Sequence, residues 1–132
     1  MLLVDTNVLL DVLQDDAQWA EWSVGQLRAQ ALVHALAIDP VIYAEMSLSF
    51  STIEALDAVV EKMALQLAEI PKAALFLAGK AFMQYRRSGG SRTQVLPDFL
   101  IGAHAAVNGW PLLTRDARRF RTYFPSLVVI AP

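Results

Sequence analysis

Residues 1–13 have the sequence MLLVDTNVLLDVL, in which an acid, a hydroxyl and an amide interrupt an apolar run. The segment MLLV is too short for a helix and predicts a fully buried strand. The apolar residues that resume at Val8 predict a helix from about Thr6 to Gln14. Asp5 therefore stands between a strand and a helix, where it can cap the helix or present a ligand. The stretch alone leaves both roles open.

The rest of the chain alternates short apolar strands with helices. Further strands are predicted over 36–39, 112–114 and 127–130. Further helices are predicted over about 17–31, over 96–109 and over 117–124. Three more helices are predicted to begin at Pro40, to run from Ser51 or Thr52 to near Leu67, and to run from Pro71 to the Ser88-Gly89-Gly90 turn. Continuous apolar strands alternating with helices indicate a parallel sheet covered on both faces. We therefore expect an α/β fold, with a single domain over residues 1–132 and a short parallel sheet of about four to five strands flanked by helices on both faces.

Composition narrows the class of protein. The chain has 132 residues, of which 55% are hydrophobic and 18% charged, and its formal charge is −2, so no overall positive field attracts nucleic acid. The absence of cysteine excludes disulfides and thiolate metal sites and fits a cytoplasmic location. Asp5 ends the first apolar run after four residues, and no apolar run approaches the ~18 residues of a membrane span. We expect neither a signal peptide nor a membrane segment.

Three aspartates fall at strand ends or a helix start, and a fourth acid lies within a helix. Asp5 follows the first strand, Asp116 follows the strand over 112–114, Glu45 lies in the helix after the second strand, and Asp98 begins the apolar helix. Ligands of parallel α/β sheets bind beyond the carboxyl ends of the strands. The three aspartates could instead each only begin a helix, since Asp is a preferred cap and acids favour the first helical turn. Glu45 could be one more exposed helical acid.

Carboxylates that converge at one edge of a sheet would repel one another and require a counter-charge. With no cysteine and two histidines in the chain, the ligands would be oxygen atoms, which suit hard cations such as Mg²⁺ or Mn²⁺. Such ions promote phosphodiester hydrolysis by activating a water and stabilising the leaving oxygen. The residues alone therefore support a hypothesis of metal-dependent phosphodiester hydrolysis, with helix capping as the alternative.

Three motifs and one further acid resemble those of a known family. The segments DTNVLLD at 5–11, LPDFLIGAHA at 96–105 and LLTRDARRF at 112–120, together with Glu45, resemble the PIN domain. More narrowly, they resemble the VapC-type toxin ribonucleases of bacterial toxin–antitoxin modules. The resemblance covers essentially the whole chain, including its length and the order of its elements.

This resemblance implies an activity and a set of site residues. The family is known for endoribonucleases that depend on Mg²⁺ or Mn²⁺, with one or two ions held by a quartet of acids. Its first to fourth acids match Asp5, Glu45, Asp98 and Asp116. These four residues are therefore expected to be catalytic and to bind the metal.

Three further positions match the family pattern around these acids. Asn7 matches the amide of the first motif and is expected to orient Asp5 or bind a water. Thr114 matches the hydroxyl before the last acid, with a supporting or phosphate-contacting role. Gly102 stands where such helices commonly have alanine, which should leave room for close packing.

The resemblance also implies partners, and two groups of arginines suit one of them. VapC-type toxins are typically homodimers that act on RNA and are silenced by a cognate antitoxin. Arginine binds phosphate in a fixed bidentate geometry, so the arginines around the Gly-Gly turn and after the strand over 112–114 are candidate RNA contacts. They could also contact an acidic antitoxin tail, or simply be solvated. These residues are Arg86, Arg87, Arg92, Arg115, Arg118, Arg119 and Arg121.

Three other classes of protein are alternatives to a metal-dependent nuclease. A phosphoryl-receiver domain would use Asp39 as its acceptor, but the last strands offer arginines where such a domain needs a lysine. A two-aspartate phosphatase needs an acid where this chain has Asn7. A non-catalytic PIN-like interaction module would not need all four acids. His34 and His104 are expected to be packed residues.

Overall fold

The computed structural model describes residues 1–92 and 94–132 of the chain. Strands and helices alternate as predicted. Their bounds are β1 (Leu2–Val4), α1 (Thr6–Leu13), α2 (Ala20–Ala31), β2 (Leu36–Ile38), α3 (Pro40–Ser47), α4 (Ile53–Lys62), β3 (Gln66–Leu67), α5 (Lys72–Arg87), α6 (Leu96–Asn108), β4 (Leu112–Leu113), α7 (Arg118–Tyr123) and β5 (Val129–Ile130).

The strands form one parallel sheet with the order β3-β2-β1-β4-β5. On one side of β1, Leu2 pairs with Leu36 of β2, and on the other side Leu3 pairs with Leu112 of β4. The chain builds the β2–β3 side first and then crosses to build the β4–β5 side. The gap between β1 and β4 is therefore the topological switch point, where open α/β sheets bind ligands.

The centre of the sheet is covered on both faces, as the apolar strands predict. Every residue of β1, β2 and β4 is buried. Because successive side chains of a strand point to opposite faces, this pattern requires packing on both sides. The predicted α/β fold is confirmed, with five strands and seven helices in the described part of the chain.

The apolar helix over 96–109 is also confirmed, as α6. It ends at Gly109, whose φ of 67° lies in the left-handed region that glycine adopts without strain. A Cβ atom on Gly102 would lie 2.5 Å from Cε2 of Phe124 and 3.0 Å from Cδ1 of Phe120. The close packing expected at Gly102 is therefore present, and its partners are the aromatic rings of α7 and its C-terminus.

The sequence-based prediction is wrong at the third strand. It extended a helix to near Leu67, whereas α4 ends at Lys62 and Ala64 takes a positive φ of 54°. This turn sends Gln66 and Leu67 alongside β2, where Gln66 pairs with Ala37. Both residues of β3 are exposed, so the strand has no apolar pattern by which it could be recognised.

Other boundaries differ by a few residues. The second helix begins at Ala20 and not near position 17, because the Asp16 carboxylate accepts hydrogen bonds from the backbone N–H groups of Gln18 and Trp19 and holds a turn there. The last two strands are also shorter than expected. Within residues 1–92 and 94–132, the helices lack the length and apolar character needed to cross a membrane.

Candidate active site

Asp5 lies where β1 ends, directly at the switch point. Its backbone N–H donates to the carbonyl of Leu113, which fixes it beside the end of β4. One carboxylate oxygen accepts a 2.8 Å hydrogen bond from the backbone N–H of Thr6 and so caps α1. The other accepts a 2.7 Å hydrogen bond from the Thr114 hydroxyl. Asp5 thus follows the strand, caps the helix and is held in place by the side chain of Thr114, the residue directly after β4.

Glu45 is brought to this edge by α3. Asp39 caps that helix by accepting from the N–H of Ile42, and Pro40 occupies its first turn. Oε1 of Glu45 accepts a 2.7 Å hydrogen bond from the Thr6 hydroxyl. Thr6 therefore connects two of the predicted acids, through its backbone N–H to Asp5 and through its hydroxyl to Glu45. The sequence did not single out Thr6.

Asp98 lies in the first turn of α6, where Pro97 starts the helix. Its carboxylate forms an ion pair with the guanidinium of Arg119 from α7. The Asp98 side chain keeps 37% of its surface exposed, and that of Arg119 keeps 26%. The positive group therefore neutralises Asp98 from one side and leaves the carboxylate accessible from the other.

Asp116 is the exposed member of the quartet, and the turn after β4 positions it. The Thr114 hydroxyl, which donates to Asp5, accepts a 3.2 Å hydrogen bond from the Asp116 N–H and a 3.4 Å hydrogen bond from the Asn7 amide. Asn7 in turn accepts a 3.1 Å hydrogen bond from the Arg115 N–H. Asn7 and Thr114 thus tie the DTN segment to the turn that carries Asp116, consistent with their expected supporting roles.

The four carboxylates influence one another electrostatically. Burial is the main reason that the pKa of Asp5 is raised to about 7, and the charges of Asp98 and Glu45 raise it further, against hydrogen bonds from Thr114 and Thr6. Burial also raises the pKa of Glu45, as do the charges of Asp98 and Asp39. Burial and the charge of Asp116 raise the pKa of Asp98, while Arg119 lowers it. The structure therefore brings the four predicted acids into one electrostatic cluster.

The cluster has the donor chemistry of a hard-cation site, although its side chains are not gathered around a point. Among residues 1–92 and 94–132, no three Asp, Glu or His side chains stand close enough together to hold one ion. Asp5 is only 6% exposed, and its carboxylate has hydroxyl and N–H partners but no ion pair with a described cationic group. Repulsion among the carboxylates favours a spread arrangement, and a divalent cation would compensate for their charge. An oxygen-binding cation fits these residues.

The predicted arginines fall into different environments. Arg115 donates a 2.9 Å hydrogen bond to buried Asp11, and its guanidinium lies 5.6 Å from the ring centre of Trp19. Arg119 pairs with Asp98. Arg92 and Arg118 are exposed and line a cleft that also contains Asp116. Exposed positions away from that cleft are held by Arg86, Arg87 and Arg121.

Three buried polar residues, Asp11, Asp39 and His104, lie outside the predicted quartet of acids. Asp11 is 3% exposed and accepts hydrogen bonds from both Ser23 and Arg115. Asp39 and His104 are both fully buried, with 3.0 Å between Oδ2 and Nδ1. His104 is a packed residue as expected, but Asp39 is enclosed and cannot serve as the accessible acceptor of a receiver domain. The sequence shows that Asp39 directly follows the second strand, but it does not show that His104 is the buried partner of this acid.

Comparisons with known proteins identify the family and the fold. The PIN domain family model matches residues 2–124. A search of curated proteins found no match. The fold is similar to that of VapBC2 from Rickettsia felis bound to a DNA fragment from their promoter, with a TM-score of 0.75 and 17% identity over 98% of this chain and 97% of that chain. It is also similar to that of DNA-bound VapBC from Salmonella typhimurium, with a TM-score of 0.71 and 19% identity over 99% of this chain and 98% of that chain. For FitAcB from Neisseria gonorrhoeae, the TM-score is 0.70 and the identity 17%, over 98% of this chain and 96% of that chain.

Proposed function

Because the chain belongs to the PIN domain family, we propose that it is a metal-dependent endoribonuclease that hydrolyses RNA phosphodiester bonds. The observation that carries the proposal is the position of Asp5. Its carboxylate is buried at the switch point, without an ion pair to a described cationic group. The charges of Asp98 and Glu45 contribute to its raised pKa. A structural cap does not require neighbouring acids, whereas a cation site does.

In this proposal the acids bind the metal, and the neighbouring polar residues hold the acids in position. Asp5, Glu45, Asp98 and Asp116 would hold one or two Mg²⁺ or Mn²⁺ ions, which when bound supply an activated water and offset the charge of the phosphodiester. Thr114 holds the Asp5 carboxylate in place through its hydroxyl, and Thr6 does the same for Glu45. Asn7 fixes the turn before Asp116. This preorganisation reduces the movement that binding requires.

We further propose that this nuclease is the toxin of a type II toxin–antitoxin pair and acts in the cytoplasm. Support comes from the similar structures, which are of VapBC, of FitAcB and of a toxin–antitoxin complex from Klebsiella pneumoniae. A homodimer fits the apolar side chains exposed on α5, where Leu75 is 48%, Phe76 69% and Met83 41% exposed. Sedimentation of the purified chain would show a mass near 29 kDa, twice its 14.6 kDa, for a dimer.

The activity is tested by incubating labelled cellular RNA with purified protein in Mg²⁺, in Mn²⁺ and in EDTA, beside Asp98→Asn. This substitution keeps the shape of the side chain but removes the ligand charge. Glu61→Gln is the matched control, because it removes one exposed carboxylate from α4, a helix that contributes none of the four acids. We expect cleavage in either metal, none in EDTA and at least about a 100-fold slower rate in Asp98→Asn alone.

Other results would contradict the proposal in different ways. Equal cleavage by the wild type and Asp98→Asn would indicate a contaminant or a purely structural Asp98. The absence of both cleavage and metal binding would favour the non-catalytic PIN-like module instead. Circular dichroism of each variant separates a loss of chemistry from a loss of folding.

A further inference from the structure

A cleft opens beside the exposed end of the acidic cluster. Its volume is about 410 Å³, and Asp116 forms part of its lining. The other walls come from α7, through Arg118, Arg119, Thr122 and Tyr123, and from Tyr85 of α5. Arg92, which follows the Gly-Gly turn, closes the remaining side. The cleft therefore adjoins the proposed site of hydrolysis and shares Asp116 with it.

The cleft contains cationic groups that are not occupied by internal ion pairs. Within the described residues, neither Arg92 nor Arg118 lies within 4 Å of a carboxylate oxygen, and both are exposed. Arg119 and Arg115, by contrast, are paired with Asp98 and Asp11. Two of the seven candidate arginines therefore combine a position in the cleft with the freedom to bind an external anion.

The aromatic walls of the cleft are held in fixed positions. The ring of Tyr123 packs edge-to-face against Phe99, with centroids 5.2 Å apart, and against Tyr85 at 6.1 Å. The hydroxyl of Tyr85 also accepts a 3.3 Å hydrogen bond from the backbone N–H of Arg92. Fixed aromatic surfaces next to guanidinium groups are the combination with which proteins bind unpaired nucleotides, by stacking the base and neutralising the phosphate.

We propose that this cleft binds one nucleotide of single-stranded RNA next to the scissile phosphate. The base lies against Tyr123, and Arg92 and Arg118 bind the phosphate of the same nucleotide. The ring of Tyr85 supports this wall from behind, since it already stacks on Phe82 and lies under the guanidinium of Arg119. This inference rests on the proposed nuclease activity, which supplies the substrate, and it adds where the flanking nucleotide binds. A base that is stacked and paired within a duplex has no free face to lie against Tyr123, so the nucleotide bound in this cleft is unpaired.

The test compares two charge-removing substitutions on the same helix. Arg118→Gln removes a guanidinium from the cleft, whereas Arg121→Gln removes an exposed one from α7 outside the cleft and is the matched control. Anisotropy of a fluorescein-labelled single-stranded RNA octamer in EDTA measures binding without hydrolysis. We expect Arg118→Gln to weaken binding at least about fivefold and to lower the salt-dependence slope by roughly 0.7, the value for one phosphate contact to a single strand. Arg121→Gln should change the affinity less than twofold.

A kinetic arm in Mg²⁺ separates this inference from the proposed function. Arg118→Gln and Arg92→Gln are expected to raise KM at least about fivefold and to change kcat less than twofold. An RNA series with one abasic position should show a similar rise in KM at one position beside the cleavage site. Cleavage by the wild type with identical KM values for Arg118→Gln and Arg121→Gln would overturn the nucleotide site while leaving the nuclease intact. Wild-type protein that neither binds nor cleaves the RNA would overturn both.

Discussion

Two features of the Asp5 environment have opposite effects on the protonation of its carboxylate. Its carboxylate accepts the hydrogen bond that starts α1, and it is also buried beside two other acids. Capping favours the ionised form, whereas burial and like charge favour the protonated form. The raised pKa of about 7 shows that the second influence dominates in the protein without bound metal.

This conflict predicts an unusual pH dependence of stability in EDTA. Unfolded Asp loses its proton near pH 3.9, whereas folded Asp5 keeps it until about pH 7. Between these values the folded state binds more protons than the unfolded state, so the free energy of unfolding must fall as pH rises. We expect wild-type protein to lose at least about 1 kcal/mol between pH 5 and pH 8, measured by urea unfolding.

Asp5→Asn is the matched variant for this measurement. Asparagine is also a good helix cap and does not titrate, so its stability should change less over the same pH range. At pH 8 the variant should be the more stable protein in EDTA. A wild-type profile that stays flat or rises from pH 5 to pH 8, or an equal slope in the variant, would exclude the raised pKa.

Sequence reasoning identified the three aspartates because each stands beside a strand end or a helix start, and the resemblance selected Glu45, which lies inside α3. It did not reach their supports. Thr6 contacts Glu45 across 39 positions of the sequence, and Asp11 binds Arg115 across 104. Such contacts depend on side-chain directions after folding, which no local pattern encodes. For the same reason, the sequence could not tell which arginines are internally paired.

At the scale of elements, predictability followed the strength of the apolar pattern. The strand β1 and the helix α6 were located well, because an unbroken apolar run and a helix buried on most sides are distinctive. The strand β3 was missed because it has two exposed residues and follows a helix without a glycine or proline between them. Short edge strands are defined by their pairing partner rather than by their own residues.

The contact between α6 and α7 makes Gly102 a sensitive position. Alanine is favoured over glycine within a helix by roughly 0.5–1 kcal/mol, but its Cβ would overlap the buried ring of Phe124. We expect Gly102→Ala to destabilise the protein by about 1–2 kcal/mol in urea unfolding, because overpacking outweighs propensity. Gly79→Ala on α5 is the control, since nothing lies within 4 Å of a Cβ there. The control should be neutral or stabilising, and equal effects at both positions would contradict the packing.

The buried Asp39–His104 pair joins the start of α3 to the middle of α6, the helices that carry Glu45 and Asp98. Asp39→Ala removes the cap of α3 and leaves Nδ1 of His104 without its partner. We expect a loss of about 2–4 kcal/mol in the free energy of unfolding. Asp39→Asn keeps a capping oxygen and should lose at most about half as much. Equal losses in both variants would show that charge, and not capping, dominates at this position.

In the whole molecule, the order of the strands explains how acids that are far apart in the sequence come to one edge of the sheet. Residues 5, 45, 98 and 116 come from both halves of the sheet, and parallel pairing brings the ends of β1 and β4 to one edge. The sequence predicted that edge from the alternation of strands and helices. It could not predict that the carboxylates stay apart in the described part of the chain, or that Arg119 pairs with Asp98.

A cation that binds this cluster should stabilise the entire fold. A ligand present at 100 times its dissociation constant and bound only to the folded state adds about 2.7 kcal/mol of stability. We therefore expect Mn²⁺ to raise the midpoint of thermal unfolding of the wild type by several degrees. The increase should disappear in Asp5→Asn and persist in Glu61→Gln. An equal increase in all three proteins would place the ion elsewhere.

The position of a bound ion would show directly whether the four acids form a metal site. A crystal structure of the wild-type protein grown with Mn²⁺, with data collected at a wavelength where manganese scatters anomalously, would reveal each bound ion without reference to activity. We predict an anomalous peak among the carboxylates of Asp5, Glu45, Asp98 and Asp116. A peak only at other carboxylates, or none at saturating Mn²⁺, would contradict the assignment of these four acids as a metal site.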